Sequence, residues 1–357
     1  MARDTIVHDT VDRVTADPCY GAGLLSLFLL PLLHRKDRLM SERPLYLTEA
    51  DVAALADIRD AIDALEEAFA SWRDAGTANM PRQRAPLPGG MFNLMGSVYA
   101  RRGVYGLKAY GGGPTGANFY ISLLGFEDRK LKAVIEANLL SQLRTGAASG
   151  LATRLLANPD AATLGCIGTG KQARAQVLAV CAVRPIKLIK IFSRSEENRA
   201  AFARAMAEET GIETIVTTST RDCVTDADVI ALITRATEPV IRREWLKVGV
   251  HVNGAGANAA NRREIDEETV LAARVLVTDD KEQALIEAAE FRDLVSTERL
   301  RWDDVHELGD LVTGAVRGRV SPDDLTLFKS LGVSLEDIAF AELIYRRARE
   351  RGFGRPA

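Results

Sequence analysis

The sequence predicts an α/β protein in which a Rossmann-type, doubly wound parallel sheet is inserted into an α+β domain. Three observations lead there. Beyond the turn Asn158-Pro159-Asp160, apolar strands and helices alternate, the pattern of a parallel sheet covered on both faces. The first of those strands runs into Gly168-Thr169-Gly170-Lys171-Gln172-Ala173, a glycine turn that opens a helix. Between Met80 and Val134 the texture differs: short apolar runs broken by Gly and Pro, as antiparallel strands joined by turns would read. At 357 residues the chain has room for two domains. We expect the first to comprise 40–157 together with 323–357, and the second 158–322.

Taken in order, Thr48 is an N-cap with Asp51 three residues on, and the apolar spacing up to Gly76 predicts helix in two pieces. The MPRQR segment (80–84) reads as a Pro-rich loop, and FNLMGSVY, VYGLKAYGG and NFYISLLGFE follow as strands. Segment 137–156 (ANLLSQLRTGAASGLATRLL) is helical in spacing and rich in small residues, which let backbones pack closely. Then come ATLGCIGTG, KQARAQVLAVCAV, IKLIKIFSRS, EENRAAFARAMAEETG and IETIVT as strand, helix, strand, helix and strand. Further strands are expected at 228–234, 248–256 and 274–280. The last stretch, TLFKSLGVSLEDIAFAELIYRRARERG, reads as a loop leading into an amphipathic helix that packs back on the first domain.

The glycine turn carries the first functional inference. In G-x-G-x-x-G/A, Gly168 makes the tight turn, Gly170 lets the backbone approach a pyrophosphate, and the small Ala173 permits close helix packing. The helix N-terminus supplies the anion site, so Thr169 and Gln172 are also counted among the cofactor-binding residues. A strand before, a helix after and a second strand ending at Ser193 complete the βαβ unit that such a dinucleotide site requires. NAD-specific sites place an acidic residue at the end of that second strand, where this chain reads Ser193-Arg194-Ser195. Arg194 can pair with a 2′-phosphate, so NADP(H) is the expected cofactor and NAD(H) the alternative.

Composition narrows the rest. A net charge of -3 argues against a nucleic-acid partner, which would need a concentrated basic face. Cys19, Cys166, Cys181 and Cys223 stand apart with no C-x-x-C pair, and the four histidines show no ligand spacing. No catalytic metal is expected, and a reducing, cytoplasmic compartment fits best. The run GLLSLFLLPLL (23–33) is too short to span a bilayer and follows an acidic stretch, unlike a signal peptide. We expect residues 1–39 to be an extension outside the fold, loosely ordered or arising from a start assigned upstream of Met40.

Nicotinamide chemistry on an amino or imino acid needs a cationic grip on the substrate carboxylate and a donor beside the carbon that receives hydride. Arg82, Arg84, Lys108 and Arg144 are the candidates, all in the first domain. Lys108, inside an apolar strand between Leu107 and Ala109, stands out because lysine is seldom buried without a purpose.

From about Pro44 to Gly352 the chain resembles the ornithine cyclodeaminase and mu-crystallin family. The resemblance rests on MPRQR, GLKAY, LRTGAASGLAT, GCIGTGKQA, EWLKVGVHVNGAGAN and TLFKSLGVSLED, in that order. It implies a nucleotide-binding domain inserted into a substrate-binding and dimerisation domain, hence a homodimer. It implies that Arg82 and Arg144 hold the substrate carboxylate, with Arg84 as the alternative to Arg82. Lys108 would donate a hydrogen bond or proton as hydride moves, and Thr145 and Thr234 would contact the cofactor. Cyclodeaminases carry an aspartate in G-x-D-x-x-x-K-x-E, whereas this chain has Asn258 there, within Gly256 to Glu264. An amide cannot take a proton at neutral pH, which counts against ring closure with ammonia release and leaves simple imine reduction open. The expected activity is NAD(P)H-dependent reduction of a cyclic ketimine of the pyrroline-2-carboxylate type, or oxidation of a small L-amino acid. Ornithine cyclodeamination and NADP(H)-dependent ligand binding without turnover are the alternatives.

Overall fold

The computed structural model describes residues 43–114 and 116–357, so the apolar run 23–33 and the expected extension lie outside the described residues. Residues 44–357 form one compact unit built around two sheets.

The chain enters on β1 (Leu45–Leu47) and two short helices, α1 (Glu49–Leu55) and α2 (Ile58–Ala70). Thr48 closes a reciprocal capping box with Asp51, as the sequence predicts. Strands β2 (Ala78–Leu87), β3 (Gly90–Tyr99), β4 (Val104–Gly113), β5 (Gly116–Gly125) and β6 (Leu131–Glu136) follow as antiparallel neighbours. The MPRQR segment is therefore strand and not loop. It lies on β2, at the sheet edge, and the register slips between Met80 and Gln83, so Pro81 and Arg82 sit in the irregularity. Proline, which has no N–H to give a ladder, is tolerated at edges and bulges.

Helix α3 (Asn138–Leu156) joins the two sheets. It packs against α2, α4 (Ala173–Val183) and the C-terminal helix, and also against strands of the parallel sheet. That is why its sequence shows no polar face. A Cβ at Gly146 would lie 2.3 Å from the Ala175 carbonyl oxygen of α4, so the close helix approach is possible only with glycine there.

The parallel sheet begins with β7 (Thr163–Ile167), β8 (Leu188–Phe192) and β9 (Glu213–Val216), separated by α4 and α5 (Glu196–Thr210). After α6 (Thr220–Val224) come β10 (Val229–Leu232) and β11 (His251–Gly254) on the other side of β7. Beyond α7 (Glu267–Ala272) lie β12 (Val275–Thr278), α8 (Lys281–Glu287), α9 (Ala289–Ser296), β13 (Val305–Glu307) and α10 (Leu308–Val312). With the strand Thr326–Lys329 as β14, the strand order is β9-β8-β7-β10-β11-β14-β12-β13, so the switch point of a doubly wound sheet falls between β7 and β10.

TLFK, read from sequence as loop, is β14 (Thr326–Lys329), fully buried between β11 and β12. Segment 323–357 is thus divided between the sheets. Only its helix α11 (Ser334–Arg351) packs on β2 to β5, before β15 (Arg355–Pro356) pairs with β1.

Candidate active site

The site is built on the inner face of the antiparallel sheet. Side chains alternate along a strand, so residues two apart share a face. Arg84, Asn93, Tyr110 and Phe119 stand opposite one another across β2 to β5, and Met95, Lys108 and Ile121 form the neighbouring row. Lys108 is 1% exposed. Its Nζ lies 2.6 Å from Asp337 Oδ2. The same ammonium is 5.8 Å from the Tyr110 ring centre and 5.6 Å from that of Phe119, within cation–π range of both. Burial pushes the Lys108 ammonium down to about 7, with the Arg144 guanidinium adding to the shift and the Asp337 carboxylate opposing it.

Arg144, from the buried helix α3, reaches the same carboxylate. Its Nε is 2.8 Å from Asp337 Oδ1 and its Nη1 donates to Glu336 Oε2 at 2.7 Å. Burial works against the Arg144 charge, but Asp337 and Glu336 outweigh it and hold the guanidinium above its ordinary value. Burial also pushes the Glu336 carboxyl up to about 8 against the pull of Arg144. The turn before α11 fits tightly over this arginine: Gly332 has φ +73°, and a Cβ there would come within 2.5 Å of Arg144 Nη1. Asp279 fixes the turn by accepting from Leu331 N at 2.8 Å and Gly332 N at 2.7 Å.

The two arginines of β2 differ. Arg82, with a side chain 2% exposed, donates from Nη1 to both oxygens of Glu287, at 2.8 and 2.6 Å, and from Nη2 to the carbonyls of Leu331 and Gly332, both at 2.9 Å. All four terminal N–H groups are therefore engaged, and its Nε is buried without a partner. The Arg84 side chain is 30% exposed, with Nη1 2.5 Å from Glu287 Oε1 and Nη2 donating to the Asn258 carbonyl at 3.0 Å. Asn258 itself is half-buried, and among the described residues its side chain makes no hydrogen bond.

The glycine turn lies at the C-terminal end of β7, at the sheet's switch point. Gly168 has φ +113°, and a Cβ there would meet the Ile233 carbonyl oxygen at 2.4 Å, so only glycine fits. At Gly170 a Cβ would meet nothing within 4 Å, which leaves open room over the turn for a pyrophosphate. Helix α4 begins at Ala173 with no side chain capping its first N–H groups, and Gln172 Oε1 is buried without a partner. Free helix amides, an open glycine and an orphaned acceptor fit a dinucleotide.

Ser193 Oγ donates to the Ser195 carbonyl at 3.1 Å. Arg194 is exposed, and no ion pair or hydrogen bond reaches its side chain among the described residues. Thr145 Oγ1 donates to the Ser141 carbonyl at 2.7 Å, one residue along α3 from Arg144, and Thr234 Oγ1 accepts from Ala236 N at 3.2 Å. Half-buried Thr169 completes the turn.

Sequence reasoning missed the acidic partners Asp337, Glu336 and Glu287, and also Asn93, Tyr110 and Phe119. It quoted Glu264 only as the end of a motif. The Glu264 carboxylate, fully buried, accepts from Thr234 N at 2.6 Å, Gly256 N at 2.8 Å and Ala257 N at 2.9 Å. It thereby clamps together the loops that follow β10 and β11, the loops bearing Thr234 and Asn258.

A glycine turn at the switch point of a parallel sheet and a walled cluster of buried cations on a second, antiparallel sheet define an α/β nucleotide-binding protein with a separate substrate layer. More particularly, the chain belongs to the ornithine cyclodeaminase/mu-crystallin family, whose model matches residues 42–352. It is 37% identical over 238 residues to the Delta(1)-pyrroline-2-carboxylate reductase of Bacillus cereus, covering 66% of this chain and 73% of that one. Among solved structures, Thermococcus litoralis Delta(1)-pyrroline-2-carboxylate reductase in complex with NADH and L-proline superposes with a TM-score of 0.84 at 30% identity, covering 88% of this chain and 100% of that one. An archaeal alanine dehydrogenase dimer with bound NAD gives 0.82 at 29% identity, over 88% and 98% of the two chains.

Proposed function

We propose that this protein is an NAD(P)H-dependent reductase of a small cyclic α-imino acid of the pyrroline-2-carboxylate type, able to run in reverse as an amino-acid dehydrogenase. The buried Lys108, paired with Asp337 and faced by Arg144, carries this reading, and the relatives that reduce pyrroline-2-carboxylate support it. A nicotinamide, when bound, supplies the hydride that reduces the imine carbon. Gly168, Thr169, Gly170, Gln172 and the start of α4 would hold its pyrophosphate, with Ser193 and Arg194 at the ribose and Thr145 and Thr234 nearer the reacting end.

The chain's own part is positioning and proton transfer. Arg144 and Arg84 grip the substrate carboxylate. Arg82, its terminal donors engaged by Glu287 and two carbonyls, instead fastens β2 to α8 and to the turn over Arg144. Lys108 gives a proton from Nζ to the imine nitrogen, so that C=N becomes CH–NH, and Asp337 keeps that ammonium in place. The walls of Tyr110 and Phe119 exclude water from the transfer. Asn258, an amide, supplies no base for cyclodeamination.

Arg194, exposed and without an ion pair among the described residues, favours NADP(H) through its 2′-phosphate. A homodimer formed through the outer face of the antiparallel sheet is part of the same reading. Phe92, Leu94, Leu107 and Tyr120 lie on the face away from Lys108 and are 38 to 46% exposed, a contiguous apolar patch of the kind that marks an interface.

The test is to mix protein, pyrroline-2-carboxylate and either NADPH or NADH and follow the loss of reduced-nicotinamide absorbance. Rapid oxidation, faster with NADPH and reduced about 1000-fold in Lys108→Ala with cofactor binding retained, is expected. Lack of any oxidation with either cofactor would remove the reductase reading, and an unimpaired Lys108→Ala would remove Lys108 from it.

A further inference from the structure

We propose that Asn93 is a specificity-determining residue that closes this site to substrates with a cationic side chain. The inference rests on the reductase reading and narrows its substrate class.

Asn93 is 6% exposed and lies on β3 between Arg84 of β2 and Tyr110 of β4, each directly across the sheet from it. Lys108 is its diagonal neighbour on the same face, roughly 7 Å away by sheet geometry. The asparagine Nδ2 donates to the Met91 carbonyl at 3.2 Å, and its Oδ1 has no protein partner among the described residues. Directly across the sheet stands Tyr110, so the uncommitted acceptor that Asn93 adds to this stretch of wall is a neutral amide oxygen.

The charges around it decide what can bind. Arg82, Arg84, Lys108 and Arg144 face Glu287, Glu336 and Asp337, and every one of these carboxylates already touches at least one of those cations. The side-chain ammonium of a diamino acid would find none of these three carboxylates free of a cation and would lie beside Arg84 and Lys108. An amide oxygen can accept one hydrogen bond from it but cannot neutralise it, and an uncompensated charge in a buried site is strongly disfavoured. The remaining wall is Tyr110 against Phe119, ring centres 4.5 Å apart, and both rings already serve the Lys108 ammonium.

Competition experiments on the cofactor-loaded enzyme test this. L-proline and L-ornithine are each titrated by calorimetry into NADP+-saturated protein, and as inhibitors of pyrroline-2-carboxylate reduction, for wild type, Asn93→Asp, Asn93→Leu and Asn93→Ala. Wild type is expected to bind ornithine at least about 100-fold more weakly than proline. Asn93→Asp should narrow that ratio by about 10-fold or more, since one added charge partner is worth that much in a buried site. Asn93→Leu, close in volume and apolar, should leave the ratio of proline to ornithine affinity no smaller than in wild type. Wild type binding the two alike, or Asp and Ala variants changing the ratio equally, overturns the role of Asn93. Reduction that proceeds while ornithine binds as well as proline defeats Asn93 but not the reductase. Selective proline binding without any reduction defeats the reductase and leaves Asn93 standing.

Discussion

Lys108 works as a proton donor only while it holds its proton. Its ammonium is pushed down to about 7 chiefly by burial, so it is charged below that pH and neutral above it. Reduction should therefore be fastest on the acid side and fall about tenfold per unit above a midpoint near 7, while oxidation of the amino acid should rise through the same midpoint. A pH–rate profile in both directions checks this, and Lys108→Ala should lose the limb along with the activity. The arginines of β2 should separate by what they harm. Arg84→Met is expected to raise KM for the imino acid by about 10-fold or more with little change in the denaturant midpoint. Arg82→Met breaks a buried ion pair and should cost about 3 kcal/mol of stability in denaturant unfolding, with the smaller direct effect on KM. Lys108 was legible in sequence because charge inside an apolar strand is conspicuous, whereas Arg82, Arg84 and Arg144, read on a loop and a helix, took their roles from the family resemblance. Their partners were not: Glu336 and Asp337 open α11, where acidic residues ordinarily just complement the helix dipole, so nothing in SLED sets them apart from surface residues.

At the level of elements, the glycine turn and the helices around it were readable, because strand, turn and helix there agree with one another. Gly170→Ala provides the test of that element. The added methyl meets no protein atom, so stability should stay within about 0.5 kcal/mol, whereas KM for the dinucleotide should rise about 10-fold or more as the methyl enters the room meant for pyrophosphate. Thermal melting without cofactor and kinetics with it check the two halves. The β14 strand escaped because four residues buried on both faces show no alternation, and a short apolar run before a helix reads equally as its approach. The MPRQR segment misled in the opposite sense. Its proline signals a loop, yet an edge strand with a register slip accommodates it.

The whole molecule sets an antiparallel-rich sheet and a parallel sheet on either side of shared helices, and the change from one to the other was visible in sequence as a change of rhythm near Asn158. What rhythm could not show is that the chain returns to the parallel sheet at β14 before its last helix crosses the other, since the pairing partner of a strand is a long-range choice. For the proposed dimer, Leu107→Glu on the outer face is expected to convert the assembly to a monomer, read by sedimentation, with a loss of activity only where the subunits support each other. One helix joins all of this. On α3, Arg144 and Thr145 stand side by side, one turned to the carboxylates of the substrate layer and the other tied through Gln176 to the helix of the glycine turn. A single residue gained or lost upstream in that helix would swing both by about 100° around its axis. The two proposed ligand sites are therefore measured off the same ruler, and a residue inserted or deleted upstream in this segment would turn both away from their partners at once.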